Sequence, residues 1–253
     1  MRIAVIGDVG GHAVQLRQAL RELPHDVTVI QVGDLVDRGP DSLGVLDAVA
    51  PMLGERWVQL AGNHEAQYLP GATVFWPEPL PGVEMLRAWW ADGRMRVAAA
   101  VTANGDEFLL THAGLTVSAW QRLGEPADAA EAADLLNERP ELIWEMGAHA
   151  RDEQAGPLWA ESGAALHEPW MRYGGIVPFG QIHGHSTVVD FKHERWRCDG
   201  RVKHRTTVDW AARHVTTRVG GRLFIGVDPG HGRDGAGSWR PLMLDDAEVH
   251  ARL

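Results

Sequence analysis

Seven residues able to bind a metal or move a proton stand at the ends of apolar runs: Asp8, Asp34, Asp37, Asn63, His64, His112 and His185. Asp34 and Asp37 belong to Gly33-Asp34-Leu35-Val36-Asp37-Arg38-Gly39, a loop with two carboxylates and a guanidinium that follows the apolar run 27–32. One unit earlier stands Gly7-Asp8-Val9-Gly10-Gly11-His12, and one unit later Ala61-Gly62-Asn63-His64-Glu65. Short apolar runs bounded by glycines read as buried strands, and ligands bind where the strands of open α/β sheets end. Aspartate, asparagine and histidine are hard or borderline donors for divalent ions. Taken singly, Asp8 and Asp34 read as helix caps, a common task for Asp at such turns. His112 and His185 read singly as core histidines, and Arg38 as a structural ion-pair partner. Three consecutive strand ends carrying such donors read together as a site.

Hydrolysing a phosphate ester at neutral pH needs an activated water and neutralisation of the phosphoryl oxygens, which two divalent ions about 3.5–4 Å apart supply. Asp34, at the central strand, reads as the carboxylate bridging such a pair. Asp8 would serve one ion; Asn63, His112 and His185 suit the other. His64 lies next to a ligand and is free to protonate the leaving oxygen, with Asp37 holding its imidazole in one tautomer. Arg38 is suited to grip two phosphate oxygens. His183 reads as structural, and nothing in the sequence requires Asp228 or His231, in a late turn, to reach the site.

These residues need a scaffold. Strands at 2–6, 27–32 and 56–60 alternate with helices at 14–23, 42–49 and from 65, a βαβαβα order that implies a parallel sheet. Val14, Leu16, Leu20 and Leu23 give the first helix its apolar spacing. Residues 70–81 contain four prolines, and a helix follows at 84–91; 70–94 reads as an excursion over the site or a surface insertion. Strands at 95–102 and 107–111 joined at Asn104-Gly105-Asp106 form a hairpin, making the sheet arrangement mixed. Helical spacing returns at 117–123 and 127–137. A strand at 179–183 leads to Gly184-His185-Ser186, a hairpin at 213–219 and 222–227 turns at Gly220-Gly221, and 241–244 closes. The Trp- and Gly-rich stretch 139–175 reads as irregular.

The 253 residues fit a single domain, 1–253. A formal charge of −10 argues against nucleic-acid or anionic-membrane partners, which need a basic surface. The one cysteine, Cys198, excludes an intrachain disulfide and a cysteine-based zinc cluster. With no charged leader and no run of roughly 18 apolar residues, a cytoplasmic location is expected.

GDLVDRG (33–39), GNHE (62–65), THAGL (111–115) and GHS (184–186) resemble the ordered motifs of the calcineurin-like metallophosphoesterases. Within them the resemblance is to the phosphoprotein phosphatase branch, which includes bacterial serine/threonine phosphatases and diadenosine tetraphosphate hydrolases. GPLW (156–159) and VDPG (227–230) are weaker matches. The resemblance implies a four-layer αββα sandwich of two mixed sheets. It also implies two divalent ions, Mn²⁺ with Fe or Zn²⁺ as alternatives, and direct attack by metal-bound hydroxide on a phosphomonoester, protein or small molecule. The alternative substrate is a dinucleoside polyphosphate, with Trp76, Trp89 or Trp90 stacking on a base. A third reading is a relative that binds a phosphorylated ligand without turning it over. Asp34 resembles the bridging ligand, Asn63, His112 and His185 the second ion's ligands, and His64 the catalytic acid. The family pattern Asp-x-His departs here: Gly10 stands where the first ion's histidine is expected. Either His12, two positions on, replaces it, or that ion has fewer protein ligands.

Overall fold

The computed structural model describes residues 1–71, 75, 76, 80–140, 142–145 and 153–250. Parts of the expected excursion (72–74, 77–79) and of the Trp-rich stretch (141, 146–152) lie outside the described residues. The first half runs β1 (Ile3–Ile6), α1 (Ala13–Glu22), β2 (Thr28–Gln31), α2 (Ser42–Val49), β3 (Trp57–Leu60), α3 (Asn63–Ala66), α4 (Val83–Ala91), β4 (Met95–Arg96), β5 (Ala98–Ala103) and β6 (Asp106–Thr111). Then come α5 (Val117–Arg122), α6 (Ala129–Glu138), α7 (Leu142–Glu145), α8 (Glu168–Arg172), β7 (Gly180–His183), β8 (Val189–Asp190), β9 (Arg195–Trp196) and α9 (Gly200–Lys203). The chain ends with β10 (Thr206–Asp209), β11 (His214–Val219), β12 (Arg222–Gly226), β13 (Leu242–Leu244) and β14 (Glu248–Val249).

Two mixed sheets face one another. The first has the order β13-β1-β2-β3-β4, parallel except for β13. The second, β10-β11-β12-β7-β6-β5-β14, is parallel only where β7 meets β6 and β12. Because strand side chains alternate between faces, Ile3 and Val5 of β1 point to the inter-sheet core beside Leu110, Ile182 and Ile225. Ala4 and Ile6 point the other way, under α1 and α2. Ala98, Ala100 and Leu109 of the second sheet pack under α5 and α6. The result is the αββα sandwich.

Several boundaries differ from expectation for physical reasons. The run 95–102 is not one strand: β4 joins the first sheet and β5 the second, so the chain crosses between sheets at Val97. Asn137 on α6 pins the crossing, its Oδ1 accepting from the amides of Val97 and Ala98 and its Nδ2 donating to the Ala98 carbonyl. On α1 the buried face is Ala13, Leu16 and Ala19, while Val14 is 75% exposed. Within 139–175 the described residues include a π-helical stretch, Ser162–His167, running into α8; π-turns recur at functional sites.

Candidate metal centre

Glutamines hidden at strand ends tie the site loops to the sheet. Gln31 ends β2, and its amide donates to the carbonyls of Gly7 and Gly33 at 3.0 and 2.6 Å. Its Oε1 accepts from Gly33 N–H at 2.9 Å. The first two loops are zipped backbone to backbone: Val9 and Gly10 donate to Asp34 O, and Gly11 to Leu35 O, at 2.7–2.8 Å. Glu65, buried in the first turn of α3, clamps the second loop to the third. Its Oε1 accepts from the amides of Leu35 and Val36, its Oε2 from those of Asp34 and Gly62. Burial and the Asp34 charge push the Glu65 carboxyl up to about 7. The four amides oppose this, and their geometry uses both oxygens as acceptors, so the charged form is the one that is built in. Gly33 has φ +95, and a Cβ there would stand 2.5 Å from the Gly62 amide; only glycine lets these loops touch.

Asp34, Asp37, Arg38 and His185 all have φ between 57 and 66. Such left-handed conformations are uncommon for non-glycine residues and cluster at functional sites, where surrounding contacts hold them. Here Asp34 Oδ1 accepts from His64 N–H at 3.0 Å, and Asp37 N–H donates to Ser42 Oγ at 2.9 Å. Asp34 is not the cap of the helix after its own turn, where Asp41 is the N-cap, but accepts from an amide of α3, and its Oδ2 is buried without a hydrogen-bond partner, as is Oδ2 of Asp8.

Four acceptors converge on one point. The Nδ1–H of His112 donates to Val32 O at 2.8 Å, which leaves Nε2 with its lone pair. That lone pair faces Asn63 Oδ1 at 2.9 Å, His185 Nδ1 at 3.2 Å and Asp34 Oδ1 at 3.3 Å. The ligand atoms of Asp34, His112 and His185 all lie within 4.8 Å of one another. Burial lowers the pKa of His112, and burial with neighbouring His112 brings His185 down to about 3. Both rings are therefore neutral at pH 7, the form a metal requires. For Asp34, burial alone would raise the pKa, but His112, His64 and Arg38 hold it below the usual carboxylate range. Lone pairs crowded this closely, with buried unpartnered carboxylate oxygens beside them, fit a cation.

The expected proton-transfer pair stands beside this cluster. His64 Nδ1 is 2.8 Å from Asp37 Oδ2, which also accepts from Gln67 Nε2 at 2.7 Å, while Tyr68 OH donates to Oδ1 at 2.8 Å. His64 Nε2 receives a bond from Arg38 Nε at 3.2 Å. Arg38 also lies 3.7 Å from Asp34 Oδ2. Asp8 is buried, its Oδ1 accepting from His185 N–H at 2.8 Å. His12 is directed elsewhere: its Nε2–H donates to Gly232 O at 2.9 Å and its ring stacks on His231.

Sequence reasoning gave no role to Glu65, Gln67, Phe75 or Trp159, and left Asp228 without one. Glu65, Gln67 and Asp228 have partners that only folding brings near; for Glu65 the signal was a charge right after Asn-His at a strand end. His183 is buried in β7, its Nδ1 donating to Gly184 O at 3.0 Å. Phe75 and Trp76 pack edge-on against His64 at 5.0 and 5.5 Å, and Trp159 lies 5.1 Å from Phe75 and 6.2 Å from His185. Both unassigned segments thus send aromatic rings to the site. Trp89 does not join them. It is 3% exposed in the core behind the first sheet, and Trp90 packs against the cores, so neither is placed to stack on a base.

Residues 1–188 match the family model of the calcineurin-like phosphoesterases, and the chain belongs to that family. It is similar to serine/threonine-protein phosphatase 1 of Salmonella typhimurium, 44% identical over 69 residues, 26% of this chain and 30% of that protein. It is also similar to the symmetrical bis(5'-nucleosyl)-tetraphosphatase of Nitrosococcus oceani, 39% identical over 80 residues, 30% of this chain and 28% of that one. The matches span less than a third of these relatives' own length. A solved putative diadenosine tetraphosphatase superposes loosely over 91% of this chain and 84% of its own, at 18% identity and a TM-score of 0.42. Among the described residues no helix is long and apolar enough to cross a membrane.

Proposed function

We propose that this chain is a metal-dependent phosphoesterase that hydrolyses phosphomonoesters, on a protein or a small molecule, at a site for two divalent ions. The carrying observation is the Asp37–His64 pair, 2.8 Å apart, beside the Asp34–His112–His185 cluster. A pure binder has no use for an oriented proton donor. Asn63, His112 and His185 would hold one ion, Asp8 the other, and Asp34 both, with Mn²⁺ the expected metal. Bound there, the ions would supply an activated water and charge neutralisation for in-line displacement at phosphorus.

The remaining steps belong to side chains. Arg38 leaves the His64 ring to take two phosphoryl oxygens in a bidentate grip. Once Arg38 has left, His64 takes up a second proton on Nε2, its Nδ1–H staying on Asp37, and gives that Nε2 proton to the leaving oxygen. Phe75, Trp76 and Trp159 limit water around that proton. The chain acts as one domain, with Phe75 and Trp76 of the first segment and Trp159 of the Trp-rich one as walls beside the site, and works in the cytoplasm on a phosphorylated partner.

A dinucleoside polyphosphate is the second reading, favoured by the aromatic rings at the rim, since bases stack on such side chains. The test is hydrolysis of p-nitrophenyl phosphate by metal-stripped protein titrated with Mn²⁺, beside Asp34→Asn. Metal-restored turnover in the wild type and none in the variant is expected; no turnover with any divalent ion would overturn the phosphomonoester reading. Faster release of phosphate products from diadenosine tetraphosphate than from a phosphopeptide would select the second substrate class.

A further inference from the structure

The first ion's shell is the open part of the site, and assigning its ligands rests on the two-ion reading of the proposed function. Gly10 brings no side chain, so a further protein ligand for that shell has to come from elsewhere in the chain. Two imidazoles lie close by, His12 and His231. His12 donates its Nε2–H to Gly232 O at 2.9 Å, its ring stacks on His231 at 4.7 Å and 17°, and its remaining lone pair, on Nδ1, lies against Gly235, where a Cβ would stand 3.3 Å away. His231 Nδ1 accepts from the Ala236 amide at 2.9 Å, so the neutral ring carries its proton on Nε2 and presents a donor rather than a lone pair. Neither ring is arranged as a ligand.

Asp228 is the remaining candidate. The ends of β1 and β12 lie against one another: a Cβ on Gly7 would be 2.1 Å from Val227 O and 3.0 Å from Asp228 N. Asp8 and Asp228 therefore leave adjacent strand ends, one from each sheet. Asp228 is 7% exposed, and its Oδ1 accepts from Gly230 N–H at 2.8 Å, closing the Asp228-Pro229-Gly230 turn. The buried Oδ2 atoms of Asp8 and Asp34 have no partner. Three buried carboxylates thus stand around Arg38, with Arg213 as a further guanidinium near Asp228, an excess of negative charge that a divalent cation corrects.

We propose that Asp228 is the third protein ligand of the first ion, taking the place of the absent histidine at position 10. With Asp8 and Asp34 it makes an all-oxygen shell beside the nitrogen-containing one of Asn63, His112 and His185. Carboxylate-only sites suit hard ions such as Mn²⁺ and Mg²⁺, whereas imidazole suits Zn²⁺. The two positions should therefore differ in metal preference. These carboxylates are not gathered as closely as Asp34, His112 and His185, so ion binding would draw the 228–230 turn inward.

The test is metal uptake by metal-stripped full-length protein, read by the electron paramagnetic resonance of free Mn²⁺ and by calorimetry. Asp228→Asn keeps an acceptor for the Gly230 amide and removes only the charge. The wild type is expected to bind two Mn²⁺, and Asp228→Asn one at wild-type affinity and the other about tenfold or more weakly. Zn²⁺ should displace Mn²⁺ more readily from the wild type's His112–His185 position than from the first. If Asp228→Asn does not fold, Asp228→Ser, which also keeps an acceptor, takes the same measurement. Two ions at undiminished affinity in the variant would overturn the proposal and leave the binuclear reading standing. Loss of the ion in His12→Ala, with Asp228→Asn unaffected, would also overturn it. A wild type that binds a single ion would remove both.

Discussion

At His64 the chemistry depends on which nitrogen carries the proton, and the neighbours decide it. Asp37 accepts from Nδ1, so the exchangeable position is Nε2, facing Arg38 and 3.9 Å from Asp34 Oδ2. Burial lowers the ring's pKa, but Asp34 and the Asp37 hydrogen bond outweigh it, and the net shift is upward. A general acid must be protonated before it reacts. With a raised pKa the acid form persists above the ordinary imidazole range, and activity falls as pH rises through the raised value. His64→Gln should lower kcat by roughly 10²–10⁴ for an alkyl phosphate, whose leaving group needs a proton. The loss should be much smaller for p-nitrophenyl phosphate, and the alkaline limb of the pH profile should vanish. An equal loss on both substrates would mean that His64 serves structure instead.

At the scale of elements, the site is three βα turns bound to each other more than to their own strands and helices. Glu65 carries much of this, because one carboxylate satisfies four amides from two turns. Unsatisfied buried amides cost about 1–3 kcal/mol each before water relieves some of them. Glu65→Ala should therefore lower stability by about 3 kcal/mol, measured by urea unfolding of the metal-free protein. Glu65→Gln, which keeps one acceptor oxygen, should lose less. The alternation of strand and helix was legible because apolar runs, glycines and Pro24 punctuate it. The division of 95–102 was not, because its cause, Asn137, is some forty residues away.

Over the whole molecule, the two sheets meet at the site. Asp8, Asp34 and Asn63 come from the first, His112 and His185 from the second, and their hydrogen bonds cross the interface. An ion bound among them ties the two sheets together and stabilises only the folded state. At a concentration a hundred times its Kd, one ion adds about 2.7 kcal/mol, roughly 5–10 °C in Tm for a chain of this size. Differential scanning fluorimetry with Mn²⁺ against EDTA should show that rise, and His112→Ala should shrink it. An unchanged Tm with metal bound would mean that the unfolded chain holds the ions as tightly as the folded one.

The parallel βαβ run of the first sheet, the mixed sheet arrangement and the cluster Asp34, His112 and His185 were readable along the chain. Those features are local: apolar periodicity and turn residues act over a few positions, and strand ends mark where donors gather. Which donors meet came only with folding. Packing turned His12 towards Gly232, brought Asp228 beside Asp8, sent Trp89 into the core and set Phe75, Trp76 and Trp159 around the histidines. The reason is physical: two sheets must pack to bury their apolar faces, and the fit of those faces fixes which strand ends face one another.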